Sequence, residues 1–401
     1  MSETLYGYSQ QQEILPTHGA FKSVADLAPH EQHRRRLFTD KLKLPPALFR
    51  GARLLEFGPD AGENSLVFAQ WGADCTLAEP NPKAHPVIRE YFQRFGLGER
   101  LSALEAWDVK SFPEPASDAE RFDLVDAEGF IYTIQPTDLW VRKCARLTRP
   151  GGFVVLFYYE LCGGFLELML RAVQARHRAL TGLDAVASAR ALFQTKWDSI
   201  PHKRRLESWT MDVLENPFVR LKYFLEPGVL CGQMAAAGLW HYSSWPNYEG
   251  GLEVHWFKRE LPGAERLRQQ QDFIRRSRLS HLFGRKHFLP QVEDDFEPRL
   301  LALLAGVDGL IDQFSPERAG QLAKELSVLE TGLRAAAPLA AHADTEKSLQ
   351  TVASLRQLLR LLAAGEAATF VRFCNEDRAF IEAWGMPSHF AVFRRAEAGE
   401  V

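Results

Sequence analysis

Three acids, Glu56, Glu79 and Asp108, each stand at or just past the end of a short apolar run, and their neighbours suit them to holding a nucleoside. Glu56 lies two positions ahead of Gly58-Pro59-Asp60-Ala61-Gly62, in which two glycines bracket a tight turn. Glu79 ends its run and is followed by Pro80-Asn81-Pro82. A carboxylate so placed can accept both hydroxyls of a ribose. Asp108 follows Trp107. An acid there can accept the exocyclic amine of an adenine while the indole lies against the ring. The glycines do not fit a dinucleotide loop, which wants them at the first, third and sixth positions. Asp60 and Glu63 hold the third and sixth. A short loop with an acid ahead of it suits a ligand without a pyrophosphate. Taken singly, each feature is also an ordinary strand-to-helix turn or a solvated strand-end acid.

The elements that must position these residues can be read around them. Arg53-Leu54-Leu55-Glu56-Phe57 has strand character, and Asn64 to Trp71 reads as the helix behind the turn. That order should offer a ligand free backbone N–H groups and a positive helix end. Asp74 to Glu79 is a second strand, Pro86 to Phe95 a helix closed by Gly96 and Gly98, and Leu101 to Ala106 a third strand. Phe122 to Asp126 is a fourth strand, followed by a helix over Thr137 to Leu147. After the turn Arg149-Pro150-Gly151-Gly152, Phe153 to Tyr159 is apolar enough to be a central fifth strand. This alternation predicts an α/β fold, a parallel sheet with helices on both faces. The three acids then fall at the carboxyl ends of three consecutive strands, where open α/β sheets bind ligands. Ahead of the sheet, Pro29 to Leu42 reads as a helix with proline in its first turn. Its Arg34-Arg35-Arg36 reads as a solvated face, the alternative being a meeting point for an anionic substrate.

Past the fifth strand the rhythm breaks. Residues 160–227 read as a helical insertion over the sheet's carboxyl edge, with Gly163-Gly164 as a hinge. A helix at 228–238 precedes Leu239 to Trp245 and Leu252 to Lys258, which read as an antiparallel hairpin at one edge. Residues 261–401 are mainly helical in pattern. Ser315-Pro316 is a good helix start, 316–336 and 345–364 are rich in helix formers, and Gly365 is a stop. Ser388 to Arg395 has the alternation to rejoin a sheet. The expected division is 1–50 as an N-terminal helical segment, 51–260 as the ligand-binding domain with its insertion, and 261–401 as a helical domain.

Composition narrows the class. The chain of 401 residues is 46% hydrophobic and 25% charged, as soluble globular proteins are. A formal net charge of -3 gives no general pull towards nucleic acid or anionic membrane. No apolar run approaches the length of a membrane span, and the opening Met-Ser-Glu-Thr-Leu-Tyr-Gly-Tyr lacks the form of a secretory signal, which predicts a cytoplasmic protein. Cys75, Cys144, Cys162, Cys231 and Cys374 are widely spaced without a C-x-x-C pair. They predict reduced, mostly buried thiols and no metal site.

Together the motifs resemble those of the class I S-adenosylmethionine-dependent methyltransferases. The resemblance is carried by Leu54-Leu55-Glu56-Phe57-Gly58-Pro59-Asp60-Ala61-Gly62 as the nucleotide loop, Glu79 as the ribose acid and Trp107-Asp108 as the adenine pair. Phe122-Asp123-Leu124-Val125-Asp126 matches the fourth-strand motif, and Leu147 to Val155 the turn into the fifth strand. These cover residues 50–160, and 228–258 is similar to the family's closing strands. Asp60 departs from the commonest central glycine. The resemblance implies a Rossmann-like, seven-stranded, mostly parallel sheet with an antiparallel edge hairpin. It implies S-adenosylmethionine as cofactor and S-adenosylhomocysteine as product, with Glu56, Gly58, Pro59, Gly62, Glu79, Pro80, Asn81, Trp107 and Asp108 holding the cofactor. Methyl transfer is an in-line displacement, so the protein chiefly positions and, where the acceptor needs it, deprotonates. Glu128 is the candidate base or orienting acid. Tyr132, Tyr158, Tyr159 and Glu160 are candidates beside it, or walls of the pocket.

The acceptor is read less directly, because insertions set it in this family. Trp240, His241, Tyr242, Trp245, Tyr248 and Trp256 could stack on a sugar or flat ring, or pack a strand edge. His177 and His202 are possible bases or ordinary surface and core histidines. Asp126-Ala127-Glu128-Gly129 is not the tetrapeptide used for base amines, which speaks against DNA or RNA. The expectation is O- or N-methylation of a small metabolite or biosynthetic sugar intermediate. The alternatives are a protein methyltransferase docking through its C-terminal helices, or a cofactor-binding adaptor.

Overall fold

Leu54, Leu55, Glu56 and Phe57 are all buried, as a strand covered on both faces requires. The computed structural model describes residues 4, 5, 7, 8, 21–201, 205–250, 262–339 and 341–397. Its strands are β1 (Arg53–Phe57), β2 (Asp74–Ala78), β3 (Leu101–Glu105), β4 (Phe122–Glu128), β5 (Thr148–Tyr159), β6 (Leu239–Trp245) and β7 (Ser388–Arg395). They form one sheet in the order β3-β2-β1-β4-β5-β7-β6. The pairs from β3 through β5 are parallel and β6 with β7 is antiparallel. This is the expected Rossmann-like α/β sheet, and β1 is central in it.

The chain forms two compact units. One comprises Met1–Tyr158, Pro227–Gln271 and His389–Val401 and carries the sheet; the other comprises Tyr159–Glu226 and Asp272–Ser388. The sequence reading separates 160–227 from the helices after 261, yet both supply one apolar core. Leu166, Leu170 and Val173 of helix Phe165–Thr181 are buried in the same cluster as Leu300, Leu304 and Val307 of helix Phe296–Asp312. Two helices cover the expected 316–336 span, and Gly365, at φ +78°, ends helix His342–Ala364. All five cysteines are free and buried. No helix among the described residues is long and apolar enough to cross a membrane.

In the sheet unit one helix starts earlier than the sequence reading has it, and one edge strand has a partner that reading does not give it. The N-terminal helix runs Val24–Arg36 and starts before Pro29. Ser23 accepts the Asp26 N–H and donates its hydroxyl to the Asp26 carboxylate, a reciprocal cap that begins the helix one and a half turns earlier than proline alone would. At the other edge, Leu252–Lys258 lies outside the described residues, and the antiparallel partner that β6 has is β7, with Leu239 opposite Arg395 and Trp245 opposite Phe390. The burial of β7 fits its place between two strands: His389, Ala391, Val392 and Phe393 are buried, the last three in succession. The Arg395 guanidinium fastens its end by donating to the carbonyls of Ala145 and Thr148.

Because Phe393 is fully buried in a strand flanked on both sides, Phe393→Ala should cost about 3–5 kcal/mol of unfolding free energy. Urea denaturation would measure it, and a loss below about 1 kcal/mol would remove β7 from the core.

Candidate functional site

The turn between β1 and the helix Glu63–Gln70 runs through left-handed backbone at Gly58 (φ +63°), Asp60 (φ +54°) and Gly62 (φ +88°). Asp is among the few side chains that tolerate this region, so Asp60 keeps the path a glycine would take. At Gly58 an added Cβ would sit 3.0 Å from the Phe130 ring, which packs directly over the turn. Three of the turn's amides are committed: Gly58 N–H donates to Ala78, Gly62 N–H to Pro59, and Asp60 N–H to the Glu79 carboxylate at 3.1 Å. Those three amides are thus taken up within the sheet unit, while Gly62, the cap of the helix Glu63–Gln70, offers that helix no side-chain acceptor. Glu79 is the reason for one of the three, since its second oxygen accepts the Asn81 N–H at 2.7 Å and the carboxylate clasps the ends of two loops. Burial pushes Glu79 up to about 7, against those two hydrogen bonds.

A second group of acids lies beneath the turn. Glu56 and Asp126 are register partners on β1 and β4, and Glu128, two residues on, shares their face of the sheet. Glu56 and Asp126 are fully buried. Glu56 accepts the Ser65 hydroxyl. Arg34 of the N-terminal helix reaches in and forks onto Glu128, with bonds of 2.7 and 2.6 Å. Its guanidinium also lies 4.7 Å from the Phe38 ring and 5.2 Å from the Phe68 ring, which fix its plane. The same helix is tied down by His30 on Asn64 (3.1 Å) and by Trp71 donating to Glu31 (2.8 Å). The solvated face expected for Arg34-Arg35-Arg36 holds for Arg35 and Arg36 only. Burial pushes Glu56 up to about 8, assisted by Glu128 and opposed by Ser65 and Arg34. Asp126 is pushed well up by burial and by the Glu128 and Glu56 carboxylates.

The other expected residues lie partly at the turn and partly away from it. Trp107 and Asp108 lie in the exposed segment after β3, where Asp108 accepts the Ser111 N–H and hydroxyl, each at 2.7 Å. Pro59 is buried, and Pro80 and Asn81 are half-buried beside Glu79. Tyr132 is buried in the short turn Ile131–Thr133 just past β4. Tyr158 joins Tyr248 (2.5 Å) and Tyr248 joins His389 (2.7 Å) in a buried chain within the sheet unit. His241 contacts Glu249 at 3.2 Å. Tyr159 stacks on Phe224 and Glu160 accepts the Gly163 N–H, both within the helical unit. His177, also there, pairs with Ser188 at 2.8 Å. His202 and Trp256 lie outside the described residues.

A mostly parallel sheet in this order, with a glycine turn after its first strand and acids closing the first and second, is the frame of a nucleoside-binding methyltransferase. The chain belongs to the methyltransferase domain family, whose model matches residues 30–241, more than half of the sequence. S-adenosylmethionine is the cofactor of that family. Among curated proteins, the chain is similar to a ubiquinone biosynthesis O-methyltransferase of Cereibacter sphaeroides, 28% identical over 34% of this chain and 55% of that one. It is similar to the protein of the same name from Methylocella silvestris, 30% identical over 27% of this chain and 40% of the other. The chain thus spans about half the length of the curated relatives it matches. Among solved structures, the N-methyltransferase NodS from Bradyrhizobium japonicum, in complex with S-adenosylhomocysteine, is 18% identical over 38% of this chain and 74% of that one, with a TM-score of 0.28.

Removing one partner of a buried ion pair strands the other. Arg34→Ala should therefore destabilise the protein by about 3–5 kcal/mol, and Arg34→Met combined with Glu128→Leu should recover much of that loss. Chemical denaturation of the two variants would show it; equal stability of Arg34→Ala and the parent would mean the pair is not buried in solution. The raised acids also set a pH dependence. Glu56 and Glu79 hold protons in the folded state up to about 8 and about 7, whereas the unfolded chain releases them near 4.5. The folded state binds more protons between those values, so the ligand-free protein should lose stability as pH rises through them. Melting temperatures at pH 5.5 and 8.5 would check the sign, and a rise towards pH 8.5 would contradict it.

Proposed function

We propose that the protein transfers a methyl group from S-adenosylmethionine to an oxygen nucleophile of a small molecule. The observation that carries the cofactor assignment is the clasp of Glu79 on Asp60 and Asn81, which joins the glycine turn to the end of β2. It fixes a buried carboxylate at the point where a ribose would lie across adjacent strand ends. The acids beneath the turn fit the rest of the group. Glu56, Asp126 and Glu128 face one guanidinium, so the cluster lacks positive charge, and S-adenosylmethionine brings an ammonium and a sulfonium. When bound, the cofactor supplies an electrophilic methyl that leaves its sulfur in line with the incoming nucleophile, the bonding pair staying on sulfur.

The chain's own part is placement. Glu56 and the Gly58 to Gly62 turn, with Pro59 in it, are assigned the amino-acid end of the cofactor. Glu79, with Pro80 and Asn81, is assigned the ribose, and Trp107 and Asp108 the adenine. Phe130 lies over Gly58 and walls that side of the turn. Glu128 has both oxygens engaged in the Arg34 fork and is assigned an orienting role. Tyr132 is the remaining candidate for handling that proton. The names of the two curated relatives support oxygen as the acceptor atom and a small molecule as its carrier.

Glu79→Ala removes charge-assisted hydrogen bonds to the ribose and also frees the Asp60 and Asn81 amides. Cofactor binding should weaken by about 1.5–3 kcal/mol, read by calorimetry with S-adenosylhomocysteine, and an unchanged dissociation constant would place the ribose elsewhere. For the acceptor, labelled S-adenosylmethionine is added to extract cleared of macromolecules. Label in a small organic product supports the assignment. Label appearing only when the protein fraction is restored would favour a protein acceptor, and cofactor binding without any transfer would favour an adaptor.

A further inference from the structure

Asp126 is the one acid of the cluster with no donor of its own. It is 1% exposed, and neither carboxylate oxygen meets an N–H or hydroxyl donor among the described residues; its polar neighbour is the Glu128 carboxyl, with which it can hydrogen-bond only when one of the two holds a proton. Each neighbouring acid is provided for: Glu56 by the Ser65 hydroxyl and Glu128 by both arms of Arg34. Among the described residues no cation besides Arg34 acts on it. From β1 comes Glu56, from β4 Glu128, from helix Glu63–Gln70 Glu63, and from β2 the Cys75 thiol. The N-terminal helix supplies Arg34 and His30, and burial and Arg34 both disfavour a charge on His30. Glu56, Asp126 and Glu128 thus share the Arg34 guanidinium.

A bare carboxylate in that position is untenable, since an unpaired buried charge costs several kcal/mol and two adjacent carboxylates cannot both ionise readily. The ligand-free site resolves this by keeping a proton. We propose that Asp126 is a cation-reading residue of the cofactor pocket, and that the pocket gives up a proton to solvent when the positively charged end of the cofactor enters. The inference rests on the cofactor assignment above and adds a residue to it: the methyl donor is recognised by an exchange of charge as well as by shape. Glu56 lies in register with Asp126 and shares the exchange, while Glu128 stays with Arg34. The proton moves from carboxyl to water, no covalent bond in the cofactor changes, and the reverse step returns it when product leaves.

Proton exchange on binding is measured directly by calorimetry of the full chain at neutral pH, in phosphate and in Tris, whose ionisation heats differ. With S-adenosylhomocysteine, which carries the ammonium alone, the two buffers should give different heats corresponding to release of about one proton per cofactor. Asp126→Asn should cut that release at least by half and weaken binding about tenfold. Heats that agree between buffers in the parent protein would overturn the proposal while leaving the cofactor assignment standing. Equal release by parent and Asp126→Asn would overturn the role of Asp126. Failure of both S-adenosylmethionine and S-adenosylhomocysteine to bind the parent would overturn the cofactor assignment and the inference with it. Should Asp126→Asn prove unstable, the release by the parent, followed as a function of pH, decides the matter: it must fall away above the pH at which the ligand-free cluster loses its proton.

Discussion

The pair between Arg34 and Glu128 is the contact on which the sheet unit most depends. Among the described residues it brings the one guanidinium shown acting on Glu56, Asp126 and Glu128, and it does so from a helix that precedes the sheet in sequence. Without it, the ends of β1 and β4 would hold carboxylates facing each other in a dry interior. The N-terminal helix is therefore a wall of the site. Its position is overdetermined by the aromatic packing of Phe38, Phe49, Phe68 and Trp71, by His30 on Asn64 and by Trp71 on Glu31.

The glycine turn shows the same economy on a smaller scale. Its left-handed residues bring the backbone close to β2, and the amides then serve the protein's own carbonyls and the Glu79 carboxylate. What is presented to a ligand is consequently a rigid, acid-backed surface. Rigidity here is useful chemically, because a displacement reaction gains most from reactants already held in line.

Much of this was legible in the sequence where the signal was local. Runs such as Leu54-Leu55 and Phe153-Val154-Val155 announce buried parallel strands, and Gly58, Gly62 and Gly365 mark turns because few other residues adopt their backbone. The acids at Glu56 and Glu79 could be placed because one is the second-last residue of its strand and the other directly follows its strand. Arg34 could not. Three arginines in a row on a polar helix look solvated, and only the tertiary contact separates the first from the other two. The same limit applies to β7. Its alternation was readable, whereas its insertion between β5 and β6 depends on pairing across the whole helical unit. Asp126 was visible only as part of a strand motif, since its lack of a donor is a property of what surrounds it. The shared core of 159–226 and 272–388 was equally hidden, because helical periodicity tells which face is apolar and not which helix will cover it.

The place of β7 in the sheet has a consequence for how the protein is made. β5 is complete at Tyr159 and β6 at Trp245, but the strand that belongs between them begins at Ser388. During synthesis both therefore wait, each with an open ladder of backbone donors and acceptors, while the chain of the helical unit emerges. The two units are thus interlocked in time. Neither the sheet nor its outer strand pair can be finished until the ribosome has delivered nearly all of the other unit, so the sheet side of the protein is begun first and closed last.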